Sequence, residues 1–308
     1  MSARVFIDGE AGTTGLQIRD KLAALSGIVL VSLPAEARKD AAAKAELLRD
    51  VDVAILCLPD AAAKETAALI EAMGAEGPRM IDASSAHRVA PGWVYGFAEL
   101  TAGQGEAIAK ARKVSNPGCY ATGAIALLRP LVAAGLIAPD WPIAINAVSG
   151  YSGQGRVGIE NYESGKGAPF ELYALGLEHK HVPEIVEYAK LTARPLFAPS
   201  VANFRQGMLV SIPLHLEAMA GKPRGADLAA ALADHYRGGD LVSVAPLHET
   251  GGGTNALEAE SLNGTNKMEL HVFANEARRH ALLVAKLDNL GKGASSAAVQ
   301  NLGLMLRL

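Results

Sequence analysis

Val5-Phe6-Ile7-Asp8-Gly9-Glu10-Ala11-Gly12-Thr13-Thr14-Gly15 reads as an apolar strand, a turn punctuated by three glycines, and the head of a helix. The glycine spacing is G-x-x-G-x-x-G. Small residues at Gly9, Gly12 and Gly15 let the backbone approach a pyrophosphate. The helix start, with Thr13 and Thr14 in its first turn, then meets the negative charge with N–H groups and a favourable dipole. A tight turn under a closely packed helix also asks for glycine, and the spacing departs from the commoner G-x-G-x-x-G. In a first strand–helix unit the dinucleotide reading carries more weight.

Working outward, the first 115 residues alternate strands and helices, the pattern that builds a parallel sheet. Strands are predicted at 4–8, 28–33, 53–58, 79–82 and 112–115, with Ala-rich helices near 14–25, 37–49 and 61–73. The strands are nearly continuous apolar runs, as expected when helices cover both faces. After Cys119 the pattern changes to longer strand candidates at 143–149, 208–216, 241–244, 267–274 and 281–287, and 251–266 reads as loop. The expectation is an α/β chain with two domains. Residues 1–118 form a Rossmann-type parallel-sheet domain, and residues 119–287 form an α+β domain on an antiparallel or mixed sheet. The final helix is expected at 294–306.

Composition removes several classes. The chain has 308 residues, is 50% hydrophobic and carries a formal charge of -3, which gives no basic footprint for nucleic acid. The best membrane candidate, 121–138, is interrupted by Arg129 and Pro130, and no signal pattern precedes Val5. Two cysteines cannot build a disulfide framework, so a reducing cytoplasm is the expected compartment. Cys57 sits inside an apolar strand and reads as core.

Cys119 does not. Asn116-Pro117-Gly118-Cys119-Tyr120 bends sharply between a short strand and the apolar helix expected at 121–134. There the first-turn N–H groups and the helix dipole favour a thiolate, which a thiol of ordinary pKa ~8.5 needs at neutral pH. A thiolate so placed is a nucleophile for an acyl carbon, and the same N–H groups suit the oxyanion it creates. A small buried cysteine is the commoner case, but an inert core residue has no need of a Pro-Gly bend.

NAD sites usually carry an acid at the end of the second strand. Here that strand ends Val31-Ser32-Leu33-Pro34 with no carboxylate, and Arg38-Lys39 follow, which favours the 2′-phosphate of NADP. Glu36 is close enough to supply the acid, and Arg38-Lys39 could be a solvated helix face. The strand-end segments 57–60 and 83–88 line the same crevice in such folds. Ser84 and Ser85 could equally cap a short helix.

Two histidines, His179 and His181, precede Val182-Pro183-Glu184. A metal pair lacks further ligands at suitable spacing. A Cys–His pair needs one imidazole, and Glu184, three residues after His181, can orient it from one helical turn away. Surface capping competes strongly for His179 and less for His181. The segment Ser149-Gly150-Tyr151-Ser152-Gly153-Gln154-Gly155-Arg156 reads as a pocket-shaping loop.

Taken together, these motifs resemble the N-acetyl-γ-glutamyl-phosphate reductases in their shorter form. The match is carried by Gly9–Gly15, by 116–123, by 149–153, by 179–185 and by Asp288-Asn289-Leu290-Gly291-Lys292-Gly293-Ala294, in order along nearly the whole chain. The resemblance implies NADPH-dependent reduction of a small acyl phosphate to an aldehyde, on the fold of aspartate-semialdehyde dehydrogenases. It implies Cys119 as acyl acceptor and one of the two histidines, His181 ahead of His179, as acid/base. Gly9, Gly12, Thr13, Thr14, Gly15, Arg38, Ser84 and Gly293 are then expected at the cofactor, and Asn116, Ser149, Arg88 and Glu184 at the substrate. It also implies that residues 288–308 complete the nucleotide domain; no metal site is expected, for want of ligands beside the two histidines. A homo-oligomer, dimer or tetramer, is expected from the apolar strands of the second domain. The loop 82–88 departs from the Asp-Leu-Gly-Ala type of the longer forms.

Three rivals remain. A short-chain dehydrogenase would need Tyr162 and Lys166 on one helix, which Gly165, Gly167 and Pro169 oppose. An aspartate-semialdehyde dehydrogenase lacks the Pro-Gly before its cysteine. A non-catalytic NADP-binding redox sensor has no need of Cys119 and His181 together.

Overall fold

The computed structural model describes residues 2–38, 40–249 and 255–308; Lys39, and positions 250–254 of the expected loop, lie outside the described residues. The chain divides into two units. The first holds the chain through Ala98, with Ala102–Pro117 and Ala294–Leu308; the second holds Glu99–Thr101 and Gly118–Gly293.

In the first unit six strands form one parallel sheet: β1 (Ala3–Asp8), β2 (Ile28–Val31), β3 (Val53–Leu56), β4 (Arg79–Asp82), β5 (Val94–Tyr95) and β6 (Lys113–Ser115), in the order β2-β1-β3-β4-β6-β5. The helices are α1 (Thr13–Ala23), α2 (Ala41–Arg49), α3 (Asp60–Ala72) and α4 (Gln104–Lys110), joined by a C-terminal helix, Ser296–Leu306. The two-residue period of the strands sorts their side chains cleanly. Val5, Ile7, Val53, Ile55, Ile81 and Val114 pack on one side with Ile18, Leu22 and Ile108. Ala298, Leu302 and Met305, spaced as one helical stripe, bring the C-terminal helix into that same core. Phe6, Ala54, Leu56 and Met80 point the other way, onto Leu48, Ala67 and Ile70. This is why the strands read as unbroken apolar runs.

α2 starts at Ala41, not near 37. The Asp40 carboxylate accepts the N–H groups of Ala42 and Ala43, a local cap that stops the helix from extending backwards. Arg38 therefore lies in a turn and not on a helix face.

The second unit is built on an eight-stranded mixed sheet: β7 (Ala144–Gly150), β8 (Phe170–Leu172), β9 (Leu196–Ala202), β10 (Met208–His215), β11 (Val242–Val244), β12 (His248–Glu249), β13 (Met268–Asn275) and β14 (His280–Leu287). Antiparallel pairs run from β13 through β14 and β10 to β7, while β7 and β9 are parallel. Its helices are α5 (Cys119–Ala133), α6 (Gly155–Glu163), α7 (Val182–Ala189) and α8 (Gly225–His235). α5 lies on one face, and Gly123 makes this possible: a Cβ there would stand 2.9 Å from Val210 Cγ2 and 3.3 Å from Ala285 Cβ. Among the described residues no helix is long and apolar enough to cross a membrane.

The segment read as a loop at 149–156 is instead the end of β7, a 3-10 turn (Tyr151–Gln154) and the start of α6. Arg156 is exposed on that helix and pairs with Glu160 one turn on, at 3.6 Å. α6 ends at Glu163 and Gly165 takes φ +76°, so Tyr162 and Lys166 do not share a helix. β8 and β9 were not predicted: Pro199 interrupts one and the other is three exposed residues.

Candidate active site

The glycine turn of the first unit is built as a dinucleotide cradle requires. Gly9 takes φ +90°, and a Cβ there would meet the Cys57 carbonyl oxygen at 2.3 Å. A Cβ on Gly15 would meet the Gly9 carbonyl oxygen at 2.4 Å, so α1 and the turn touch backbone to backbone. Gly12 donates its N–H to the Gly9 carbonyl (3.0 Å) and caps α1, which places Thr13 and Thr14 in the first turn. The space beside the turn is a cavity of about 170 Å³, lined by Gly9, Glu10, Ala11, Leu33, Arg38 and Leu58 among others. These residues fit a nicotinamide dinucleotide: bare backbone, a helix start and a basic side chain in the turn between β2 and α2.

Other residues of this unit are held by partners of their own. The Ser84 hydroxyl donates to Asp82 Oδ2 (2.8 Å) and accepts the Ala86 N–H (3.1 Å), while His87 Nδ1 lies 2.6 Å from the same Asp82 oxygen. Asp82 is fully buried, so Ser84 serves a local cap that satisfies it. Asn116 donates its carboxamide N–H to the Ala294 carbonyl (2.9 Å), and its oxygen accepts from Asn301 Nδ2 (3.1 Å). That buried carboxamide ties β6 to the C-terminal helix instead of facing outward. Arg88 is buried, and its Nε donates to the Asn116 carbonyl at 3.2 Å.

In the second unit Cys119 is the first residue of α5. Gly118, in extended geometry, is the cap, and the helical ladder begins with Thr122 N–H donating to the Gly118 carbonyl. The N–H groups of the first turn therefore project from the helix end beside the Cys119 thiol. The Gly118 N–H is held by Glu184 Oε2 at 3.1 Å, from the first turn of α7. Glu184, 1% exposed, thus fixes the bend that presents the cysteine.

The two histidines divide their work. His181 caps α7, and its carbonyl accepts the Ile185 N–H; its imidazole is buried. His179 Nδ1 accepts the His181 backbone N–H at 3.1 Å, and its Nε2 lies 3.5 Å from the Tyr173 hydroxyl. An Nδ1 that accepts leaves the proton of the neutral ring on Nε2, the nitrogen that faces Tyr173. The rings of His179 and His181 meet edge-on at 4.6 Å, and Tyr120, next to Cys119, stands 5.9 and 5.8 Å from them. Tyr120 donates its hydroxyl to the Ser200 carbonyl (2.9 Å). Burial raises both phenols, Tyr173 to about 12 and Tyr120 further, so neither ionises near neutrality. Among the described residues no three His, Cys, Asp or Glu side chains converge on a metal site.

Gly293, expected at the cofactor, lies flush against Cys119. A Cβ on it would meet Cys119 Cβ at 2.8 Å and Cys119 Cα at 3.2 Å. The turn carrying it is anchored on both sides. Asp288 accepts the N–H groups of Leu290 and Gly264, and Asn289 bridges the Gly207 N–H and the Ser152 hydroxyl. Lys292 is buried in a two-pronged ion pair with Glu99 (2.8 and 2.9 Å), and burial lowers its pKa. Ser149 is buried and donates to the Gly150 carbonyl. Apart from the Asp288–Leu290 and Ser149–Gly150 pairs, these partners are far apart in sequence. Lys292 between two glycines was the one visible sign that a lysine would be held in place there.

Gly293→Ala is expected to push on Cys119. A shift of a few tenths of an ångström to 1 Å at the reacting atom costs up to ~10² in kcat, measured by steady-state kinetics beside the Cys119 alkylation rate.

A family model of the semialdehyde dehydrogenase dimerisation domain matches residues 119–289, and one of the semialdehyde dehydrogenase NAD-binding domain matches 32–111. Solved structures of the same fold include aspartate semialdehyde dehydrogenase II from Vibrio cholerae (TM-score 0.72, 14% identity, 100% of this chain and 99% of that one). Another is the aspartate semialdehyde dehydrogenase from Francisella tularensis (TM-score 0.73, 12% identity, 99% and 100%). Fold and site together define a semialdehyde dehydrogenase-type oxidoreductase. The N-acetyl-gamma-glutamyl-phosphate reductase of Chelativorans sp. strain BNC1 is 54% identical over 99% of both chains. N-acetyl-gamma-glutamyl-phosphate reductase 2 of Pseudomonas putida is 52% identical over 98% of this chain and 96% of its own. The chain belongs to the N-acetyl-γ-glutamyl-phosphate reductase family.

Proposed function

We propose that this enzyme reduces N-acetyl-γ-glutamyl phosphate to N-acetylglutamate semialdehyde in arginine biosynthesis, in the cytoplasm, with Cys119 as the acyl acceptor. The observation that carries this assignment is the single thiol at the head of α5, on a bend held by Glu184 and backed by Gly293. The helix start favours the thiolate. The thiolate attacks the γ-acyl carbon, the first-turn N–H groups hold the oxyanion, and phosphate departs to leave a thioester. NADPH, when bound on the Gly9–Gly15 cradle, supplies the hydride that takes the acyl group to the aldehyde level. His181 takes the thiol proton at the first step and returns a proton to the developing alkoxide, and collapse of the thiohemiacetal releases aldehyde and regenerates Cys119.

Phosphate-dependent reduction of NADP with N-acetylglutamate semialdehyde tests the assignment, beside aspartate semialdehyde and a no-substrate control. Turnover of aspartate semialdehyde alone would move the chain to the sister activity, and no turnover of either would favour a binding module.

NADP is the expected cofactor, because Arg38, in the turn between β2 and α2, lines the cavity beside the glycine turn. One charge-assisted phosphate contact is worth ~1.5–3 kcal/mol, so kcat/KM with NADPH should exceed that with NADH by roughly tenfold to a hundredfold. Equal values would overturn the preference.

We assign the open face of the second unit's sheet to another copy of this chain. It carries an apolar groove of about 510 Å³, with Phe170, Leu172, Phe273 and Leu282 along it, within the segment that matches a dimerisation domain.

A further inference from the structure

In the first unit the carboxylate of Glu10 is the meeting point of three donors from three separate elements. Arg19 Nη1, from α1, donates to Oε2 at 2.9 Å; Ser32 Oγ, just past β2, donates to Oε2 at 2.8 Å; Arg38 Nη2 donates to Oε1 at 2.7 Å. Glu10 is 8% exposed, whereas the Arg19 and Arg38 side chains are 49% and 45% exposed. The carboxylate is thus the anchored member and the guanidiniums are the adaptable ones. Its backbone packs closely under α1, since a Cβ on Gly15 would stand 2.9 Å from Glu10 Cα. Glu10 and Arg38 both line the cavity beside the glycine turn.

Two meanings of this position conflict. An acid at the end of the second strand is what NAD sites use for the ribose hydroxyls, and here an acid is present after all, delivered from the glycine turn. Yet two guanidiniums and a hydroxyl form the donor set that recognises a phosphate. The two arginines and one carboxylate leave a net charge of one positive at the cluster.

We propose that Glu10 is an internal anion occupying the donors that recognise the 2′-phosphate of NADP, and so sets the margin by which NADP is preferred to NAD. This rests on the NADP preference proposed above. In the free protein the carboxylate keeps two mutually repelling guanidiniums folded toward β2. A phosphate of higher charge and with more acceptor oxygens takes Arg19, Ser32 and Arg38 over, and the carboxylate is left with weaker partners. Part of the phosphate's binding energy is therefore spent on Glu10. With NAD no such exchange occurs and the cluster stays closed.

The test compares adenosine 2′,5′-bisphosphate with adenosine 5′-phosphate, which differ only in the 2′-phosphate, by calorimetric titration of the full-length protein. Glu10→Gln removes the competing charge at nearly constant shape. It should raise the ratio of bisphosphate to monophosphate affinity by about tenfold, the worth of one charge-assisted contact. An unchanged circular dichroism spectrum and a cooperative thermal transition report that the variant is folded. If it does not fold, Glu10→Asp, one methylene too short to hold all three donors, should give the same sign with a smaller effect. An unchanged or lower ratio in the folded variant overturns the role of Glu10, provided the wild type prefers the bisphosphate. Equal binding of both probes by the wild type overturns the NADP preference itself, and the inference with it.

Discussion

Cys119→Ser is expected to abolish acyl-phosphate reduction while NADPH binding stays close to wild type. The substitution keeps the size of the side chain and the bend that presents it, since that bend is held by Glu184 through the Gly118 N–H and not by the thiol. What it removes is a group that the helix start can ionise near neutral pH; a hydroxyl lies far outside that reach. Cofactor binding draws on the glycine turn of the first unit, which the change does not touch. Single-turnover reduction and cofactor fluorescence titration separate the two effects. Retention of more than a few per cent of wild-type kcat would remove Cys119 from the chemistry.

His181→Asn is expected to lower kcat by ~10²–10⁴, the usual worth of a positioned proton-transfer group. It should also slow alkylation of Cys119 near neutral pH, because an imidazolium neighbour lowers a thiol pKa. His179→Asn should do much less of both. The geometry sharpens this contrast: His179 Nδ1 already accepts the His181 N–H, and its other nitrogen faces Tyr173. Its loss should show mainly as a lower thermal midpoint and a looser α7 start. Measured side by side, a larger kinetic loss at His179 would transfer the acid/base role to it, and small losses at both would leave the base elsewhere.

Much of the first unit is legible along the chain because each cue is local. β1, β3 and β4 are apolar on both faces, so their runs stand out without knowledge of what covers them. Gly9 and Gly15 are demanded by contacts within one turn. The start of α5 at Cys119 follows from Pro117 and Gly118 beside it. β9 escaped because Pro199 breaks the strand signal, and α6 because Gly155 and Gly158 dilute the helix signal. In both, packing against neighbours overrides local propensity.

The sequence by itself thus determined a parallel nucleotide-binding sheet, a mixed-sheet partner unit and a cysteine at a helix start, since those depend on adjacent residues and short periodicities. Only the tertiary structure decided which groups hold that cysteine and which acid stands at the end of β2. Glu184 reaches Gly118 across 66 positions, and Gly293 meets Cys119 from the far end of the chain. Glu10 reaches Ser32 and Arg38 across 22 and 28. The acid sought along the second strand is carried by the first turn, because a side chain is placed by where its backbone is pinned and not by its nearness in sequence. Long-range pairings of this kind leave no periodic trace, as each is specified by a single residue whose partner only the closed fold brings near.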